Sequence, residues 1–121
     1  MSHLANTLRG LQNSSAAKQR GTCKVIVYFL TCACVDYFTK VFTTVSALAN
    51  SKELQVFGLH GRMKPVQRSK VYRKFCEDHN RAVGASTHAD ASQRRSVVAL
   101  FATDLAARGL DIADVDWVVQ Y

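Results

Sequence analysis

Val97-Val-Ala-Leu-Phe101 runs without a break into Ala102-Thr-Asp-Leu-Ala-Ala-Arg-Gly-Leu-Asp-Ile112, and this segment decides the fold. Its first part is apolar, rich in β-branched residues and too short for a typical helix, which predicts a strand buried in a sheet. Its second part carries a hydroxyl, two carboxylates, a guanidinium and a helix-ending glycine. Ligands of open parallel α/β sheets bind beyond the carboxyl ends of the strands. The segment therefore predicts a strand that ends at a ligand-facing edge.

The remaining elements alternate between strand and helix patterns. Further strands are predicted at residues 24–30, 54–59 and 115–119. A helix is predicted after the first strand from apolar residues at spacings of three and four, namely Cys34, Tyr37, Phe38, Val41, Val45 and Leu48. Pro65 suits the first turn of a second helix, whose Val71, Tyr72 and Phe75 face the core. Right-handed crossovers then give an α/β fold with a mostly parallel sheet and flanking helices.

Length and charge restrict the class of protein. The chain has 121 residues and 48% hydrophobic composition, enough for one core. The net charge of +7 is uneven, because residues 61–95 hold nine Lys/Arg against three acids and residues 96–121 hold one against four. This asymmetry indicates either a directed electrostatic face or a solvated helix with a charged loop. No apolar run approaches the length of a membrane span, so we expect a soluble chain without membrane contact.

The four cysteines do not have the spacing of a metal site, and no metal site is predicted. We interpret Cys23, Cys32, Cys34 and Cys76 as reduced, small apolar residues of an intracellular protein. A reactive thiol near a helix N-terminus is the alternative.

In a parallel sheet, Thr31, His60-Gly61 and Thr103-Asp104 would emerge at one edge. Gly61 would let a ligand approach the backbone closely, and the Thr103 hydroxyl could bind a phosphate oxygen. Each residue also has an ordinary explanation: Gly61 as a turn former, Thr103 as a helix N-cap, and His60 as a partly buried loop residue. Their convergence beside a basic segment favours a phosphate-rich partner.

These segments resemble the motifs of DEAD-box RNA helicases. The stretch 102–112 resembles motif V, His60-Gly-Arg-Met63 with Arg68 resembles motif IVa, and Val27-Tyr-Phe-Leu-Thr31 resembles motif IV. They follow the family's order, and the resemblance as a whole covers roughly residues 24 to 121. The sequence of residues 29–38 also resembles that of a nucleolar branch of the family, which acts in large ribosomal subunit assembly.

The resemblance implies a RecA-like C-terminal helicase domain and a role for each matching residue. Thr103 and the Gly61 backbone would contact RNA phosphates, and Arg68 would support that surface. Asp111 would contact the ribose of ATP, and Arg108 would lie near its phosphates. Such backbone contacts carry little base preference. A further position, Phe29, would stack on a neighbouring arginine-rich motif and support the interdomain cleft.

The resemblance also implies the organisation of the chain. Residues 1–20 would be an N-terminal extension or linker from a missing first domain, and residues 21–121 a partial helicase C-terminal domain with a disordered insertion at 81–95. ATP with Mg²⁺ would be held mostly by that missing first domain. Further expectations are a ribosomal RNA partner, a monomeric chain and a location in the nucleus or nucleolus.

Three departures from the family pattern affect function. Pro65 stands where many members have a glutamine, which weakens the case for one RNA contact. The chain contains neither a Gly-x-x-x-x-Gly-Lys-Ser/Thr phosphate loop nor Asp-Glu-Ala-Asp, and it stops before motif VI. We therefore expect the chain alone to hydrolyse no ATP, while a longer parent couples ATP hydrolysis to RNA unwinding or ribonucleoprotein remodelling.

Two alternatives from other classes stay open at this point. One is a non-catalytic RNA-binding or scaffold module that keeps the RecA-like fold. The other is a small Rossmann-type nucleotide binder, although no Gly-x-Gly-x-x-Gly follows any predicted strand.

Overall fold

The computed structural model describes residues 2–15, 17, 21–48, 53–81, 96–112 and 114–121. In chain order its elements are α1 (Ser2–Leu11), β1 (Thr22–Phe29), α2 (Cys32–Leu48), β2 (Leu54–Leu59), α3 (Pro65–Arg81), β3 (Ser96–Thr103), α4 (Asp104–Ala107) and β4 (Trp117–Gln120). The predicted alternation of strand and helix is confirmed. None of the described helices is both long and apolar enough to cross a membrane.

The four strands form one sheet in the order β2-β3-β1-β4, and every neighbouring pair is parallel. The prediction of a mostly parallel sheet is therefore confirmed. The two central strands, β1 and β3, pair over their whole length from Thr22 opposite Ser96 to Phe29 opposite Thr103. Both are buried almost throughout, as expected for strands covered on both faces.

Two apolar clusters lie on opposite faces of this sheet. On one face, Val25 and Val27 of β1 pack with α1 and α2. On the other face, Ile26 of β1 and Leu100 of β3 pack with Phe75 of α3 and with α4. The alternation along β1 follows from the two-residue period of a strand, which sends successive side chains to opposite faces. The sheet is thus the middle layer of a three-layer domain.

The predicted apolar stripe of α2 is confirmed only in part, because its Cys34 and Phe38 pack against the first cluster while other members are exposed. Tyr37 is 57% exposed and Val45 is 56% exposed. The residues that face the sheet are Val35, Phe38 and Phe42, which follow the spacing of three and four on a neighbouring face of the helix. Because most of α2 is apolar or small, the periodicity identified a helix but could not select its buried side.

Gly58 lets α2 approach β2 closely. A Cβ atom added at Gly58 would lie 2.7 Å from Oγ1 of Thr39 and 3.3 Å from its Cβ, distances that packed atoms do not tolerate. The glycine is therefore required by packing between a helix and a strand.

Several predicted boundaries move by a few residues. The first strand begins at Thr22 and ends at Phe29, and Leu30 is 91% exposed. The last strand spans Trp117–Gln120 and so excludes Val115. Pro65 begins α3, and Gly109 follows α4 with a φ of 77°, both as predicted.

The N-terminal segment contains the helix α1, whose Leu4 and Leu8 are each 1% exposed and belong to the first cluster. The domain boundary after residue 20 stays a prediction. Of the predicted insertion at 81–95, residues 82–95 lie outside the described residues, and Arg81 ends α3.

Lys24 is buried in β1, which the sequence did not indicate. Its Nζ donates a hydrogen bond to the backbone oxygen of Cys76 at 3.2 Å and lies 5.2 Å from the centre of the Phe75 ring. The cation therefore gains a carbonyl partner and an aromatic face in place of water.

Candidate functional site at the carboxyl edge of the sheet

Three chain segments leave the sheet at the same edge. Phe29 ends β1 opposite Thr103, and Leu59 ends β2 opposite Ala102. The residues that follow, Leu30-Thr31 and His60-Gly61, therefore lie beside Thr103-Asp104. The predicted convergence is confirmed, and it follows directly from parallel pairing.

Thr103 stands at the junction of β3 and α4. It occupies the N-cap position with extended backbone angles, but its side chain makes no capping hydrogen bond. The residue is 8% exposed. Thr103 is an N-cap by position, as the ordinary explanation held, but its hydroxyl is not used for capping.

Gly61 lies exposed in the turn after β2, where the amide of Met63 donates to the carbonyl of His60 at 3.2 Å. A Cβ added at Gly61 would meet no atom within 4 Å, and Gly61 is not among the residues with positive φ. Neither local packing nor backbone conformation therefore requires glycine here, in contrast to Gly58. An open backbone at this edge can be approached by an external ligand.

His60 holds this turn against α2. Its Nε2 lies 2.8 Å from Oδ1 of Asp36, and the imidazole donates because a carboxylate can only accept. The His60 side chain is 7% exposed, whereas that of Asp36 is 68% exposed. Within the described residues, Nδ1 of His60 is buried and has no hydrogen-bond partner. His60 is thus an internal anchor of the Gly61 turn, in keeping with its ordinary explanation as a partly buried loop residue.

Arg68 lies one turn into α3 and is half-buried. It lines a cavity of about 300 Å³ together with Leu59, Pro65, Ser69, Tyr72 and Leu110. This cavity separates the first turns of α3 from the loop that follows α4. Arg68 therefore faces both the sheet edge and the segment that carries Asp111.

Arg108 and Asp111 lie on the exposed loop after α4. The Arg108 guanidinium is 3.1 Å from a carboxylate oxygen of Asp104, and both side chains are more than two-thirds exposed, at 72% and 78%. Such a pair contributes little to stability and can exchange for another anion. Asp111 is exposed, and its backbone oxygen accepts a hydrogen bond from the Tyr72 hydroxyl.

Phe29 is 4% exposed and belongs to a cluster of aromatic rings. Its ring stacks on Phe38 with centroids 5.0 Å apart and contacts Phe101 at 5.2 Å and Tyr121 at 5.5 Å. Stacking of Phe29 on an arginine of another segment stays a prediction.

Two partners at this edge were missed by the sequence reasoning. Asp36 pairs with His60, a contact that nothing in the local sequence indicates, and the Tyr72 hydroxyl binds the backbone of Asp111. For Tyr72 a weak signal exists, since it lies four residues after Arg68 and therefore on the same side of α3. Among the described residues, no three His, Cys, Asp or Glu side chains are placed to hold a metal ion.

The cysteines carry free thiols. Burial raises the pKa of Cys23, with a smaller opposing contribution from a hydrogen bond to Ser14 and a further increase from Asp116. Cys32, Cys34 and Cys76 are half-buried. Cys23 therefore fits the interpretation of an inert apolar residue.

A parallel α/β domain with phosphate-compatible groups at its carboxyl edge defines a class of nucleotide- or nucleic-acid-handling domains. Comparison with known families then identifies the particular family. The model of the helicase conserved C-terminal domain matches residues 4–121, and the chain belongs to this family.

The chain is also similar to individual helicases. It is 43% identical over 110 residues to the ATP-dependent rRNA helicase SPB4 of Mycosarcoma maydis, covering 91% of this chain and 13% of that protein. It is 42% identical over 98 residues to the probable ATP-dependent RNA helicase ddx55 of Dictyostelium discoideum, covering 81% of this chain and 12% of that protein. The chain is 39% identical over 98 residues to the DEAD-box ATP-dependent RNA helicase 18 of Arabidopsis thaliana, covering 81% of this chain and 13% of that protein. The chain thus spans about an eighth of the length of these relatives.

Proposed function

We propose that this chain is the part of an ATP-dependent RNA helicase that binds the RNA backbone and completes the nucleotide site. The observation that carries the proposal is the pairing of Gly61 with Thr103 at one sheet edge. Gly61 is a glycine that the fold does not require, and Thr103 has a hydroxyl that capping does not use. A backbone N–H and a hydroxyl that are both free to bind are suited to phosphate oxygens.

The charge around this edge supports a polyanionic partner. Five cations, Arg62, Lys64, Lys70, Arg73 and Lys74, are exposed on α3 and on the turn before it. In the described part of the chain none of them forms an ion pair. Arg68 on the same helix lines the cavity next to Leu59, the last residue of β2. A stripe of unpaired cations beside two phosphate-binding groups favours the directed electrostatic face over a merely solvated helix.

The nucleotide half of the proposal rests on the loop after α4. The exposed carboxylate of Asp111 can accept hydrogen bonds from ribose hydroxyls, and the weakly paired guanidinium of Arg108 can move to a phosphate. Mg²⁺ and most phosphate contacts would come from a first RecA-like domain in the parent, to which residues 1–20 would connect. In that parent the two domains would close on ATP and a bent RNA strand, and Phe29 would support an arginine at the cleft.

The RNA partner proposed is ribosomal, and the location proposed is the nucleus. The support is the name of the relative from Mycosarcoma maydis, which is called an rRNA helicase. Crosslinking of the tagged full-length protein to RNA in cells tests this directly. Recovery of ribosomal precursor RNA above messenger RNA is the expected result, and enrichment of messenger RNA alone would refute it.

Binding of the 121-residue chain to single-stranded RNA tests the central proposal. We expect weak affinity that is similar for oligouridylate and oligoadenylate and falls with salt, with a log–log slope of about −0.7 for each phosphate contacted. Affinity that does not change with salt, or that depends strongly on base sequence, would contradict the proposal.

Two glycine variants test whether Gly61 lies in the proposed RNA-binding surface. Gly61→Ala should weaken RNA binding about tenfold or more, because a Cβ would hold the phosphate away from a hydrogen bond to the backbone. Gly10→Ala is the matched control, since a Cβ there also meets open space but lies on α1, away from the edge. Equal RNA affinity of the two variants would remove Gly61 from the site.

A further inference from the structure

One hydrogen bond joins α3 to the loop after α4. The hydroxyl of Tyr72 donates to the backbone oxygen of Asp111, across 39 residues of sequence. Within the described residues, it is the one hydrogen bond between α3 and residues 108–112. Tyr72 therefore sets the distance between the helix and the Asp111 backbone.

The rest of this junction consists of a tight turn, apolar contacts and a cavity. The amide of Ile112 donates to the carbonyl of Leu110 at 3.0 Å, so Asp111 lies at the tip of a tight turn. Leu110 and Ile112 are half-buried against the second apolar cluster. The cavity of about 300 Å³ lies between Leu110 and the first turns of α3. The hydrogen bond from Tyr72 adds a directed contact to this apolar packing.

The chemistry of Tyr72 suits a permanent donor. Desolvation raises its pKa, and the neighbouring Cys76 and the Asp111 carboxylate raise it further. The phenol therefore keeps its proton well above neutral pH, and its hydrogen bond to the carbonyl is always available.

Tyr72 also lies next to the proposed RNA contact. Arg68 and Tyr72 are four residues apart on α3, so their side chains lie on one side of the helix, one turn apart. Both line the same cavity. A single rigid helical turn thus separates a guanidinium proposed to face RNA from a hydroxyl that holds the segment proposed to face ATP.

We propose that Tyr72 is a positioning residue that couples the RNA-facing side of α3 to the nucleotide-facing loop 108–112. A shift of α3 on RNA binding at Arg68 is passed through the Tyr72 hydroxyl to the Asp111 backbone and alters where its carboxylate meets the ribose. By reciprocity, a nucleotide that fixes Asp111 favours the RNA-bound position of α3. The inference rests on the proposed function, because it takes Arg68 and Asp111 as the two ligand contacts.

Backbone amide resonances of the isotope-labelled 121-residue chain test the coupling. Addition of a short oligouridylate should shift the amides of the edge residues Gly61 and Thr103 and also those of residues 110–112. In Tyr72→Phe, which keeps the ring and loses only the hydroxyl, RNA should still shift the edge amides. The shifts at 110–112 should fall to less than about half, and hydrogen exchange at those amides should accelerate about fivefold.

Tyr37→Phe is the matched control, because it also removes a phenol hydroxyl but from an exposed position on α2. It should leave every shift as in the unmodified chain. Edge shifts together with full shifts at 110–112 in Tyr72→Phe would overturn the coupling and leave the proposed RNA surface intact. No shift anywhere on addition of RNA would overturn the RNA surface, and the coupling with it.

Discussion

At the scale of single residues, the groups proposed to bind ligands are those that the fold leaves unused. Thr103 occupies a capping position without capping, Gly61 has open space around it, and the Arg108 guanidinium is held by one exposed carboxylate. Neighbouring residues have internal partners instead, as His60 has in Asp36. This contrast separates candidate binding residues from structural ones more sharply than residue type does.

Thr103 and Asp111 should have different functions. Thr103→Val keeps the volume and removes the hydroxyl, so RNA affinity should fall about fivefold, the loss expected for one neutral hydrogen bond. Thr103→Ser, the control, should retain most of the affinity. Asp111→Asn should leave RNA affinity within about twofold, because the carboxylate is exposed and screened by salt. In a full-length parent it should raise KM for ATP. Proportional losses of RNA and ATP binding in both variants would contradict this division.

Cys23 should resist alkylation. Only the thiolate reacts, and burial both raises the pKa of Cys23 and excludes the reagent. In native chain treated with iodoacetamide near pH 8, Cys32, Cys34 and Cys76 should be modified well before Cys23, as read by peptide mass spectrometry. In denatured chain all four thiols should react alike. Early modification of Cys23 in native chain would show that its strand opens readily.

The sequence predicts those parts of the site that strand pairing brings together. It does not predict those that depend on how helices pack. Gly61 and Thr103 could be predicted, because each directly follows a strand and parallel pairing brings strand ends together. The contacts of Tyr72 with Asp111 and of His60 with Asp36 could not be, since they depend on how tightly a helix lies against a loop. Buried Lys24 was missed because its carbonyl partner, Cys76, lies on α3, 52 residues further along the chain.

At the scale of elements, the strands were predictable and the orientation of α2 was not. The apolar runs of β1 and β3 are buried on both sides, so every residue of the pattern contributes to the prediction. In α2 apolar residues occupy much of the circumference, and the buried line through Val35 and Phe42 is set by contact with the sheet. The close approach at Gly58 is part of that contact.

Gly58→Ala should destabilise the domain by about 1–3 kcal/mol, the range for inserting a methyl into filled space. The added Cβ would lie within 2.7 Å of Thr39, whose own Cβ is too near to move aside by rotation. Gly61→Ala is the control, with open space at the same atom, and its free energy of unfolding should change little. Urea denaturation measures both. Equal stability of the two variants would show that α2 shifts away at no cost.

At the scale of the whole molecule, α1 packs against the core that the sheet builds. Leu4 and Leu8 are as deeply buried as the strand residues they contact. The resemblance implied that residues 1–20 are an extension or linker from a missing first domain. The few apolar residues of α1 nevertheless fall one helical turn apart, which is enough to cover the end of a sheet.

Leu8→Ala should therefore lower the free energy of unfolding by about 2–5 kcal/mol, the range for a buried leucine. Leu30→Ala makes the same chemical change at a residue that is 91% exposed, and its effect should stay within about 0.5 kcal/mol. Urea denaturation of the two variants gives the comparison. If Leu8→Ala lowers the free energy of unfolding no more than Leu30→Ala does, α1 does not contribute to the stability of the core.

The order of the strands has a consequence for synthesis on the ribosome. β2 pairs only with β3 within the described sheet, and β1 pairs with β3 and β4, so neither has a native neighbour until residues 96–103 have emerged. Until then the nascent chain carries the apolar strand 22–29 and three helices with no sheet to cover. Such exposed strands are open to aggregation and slow to find distant partners. The segment that carries the proposed ligand edge is thus also the one whose synthesis allows the sheet to form.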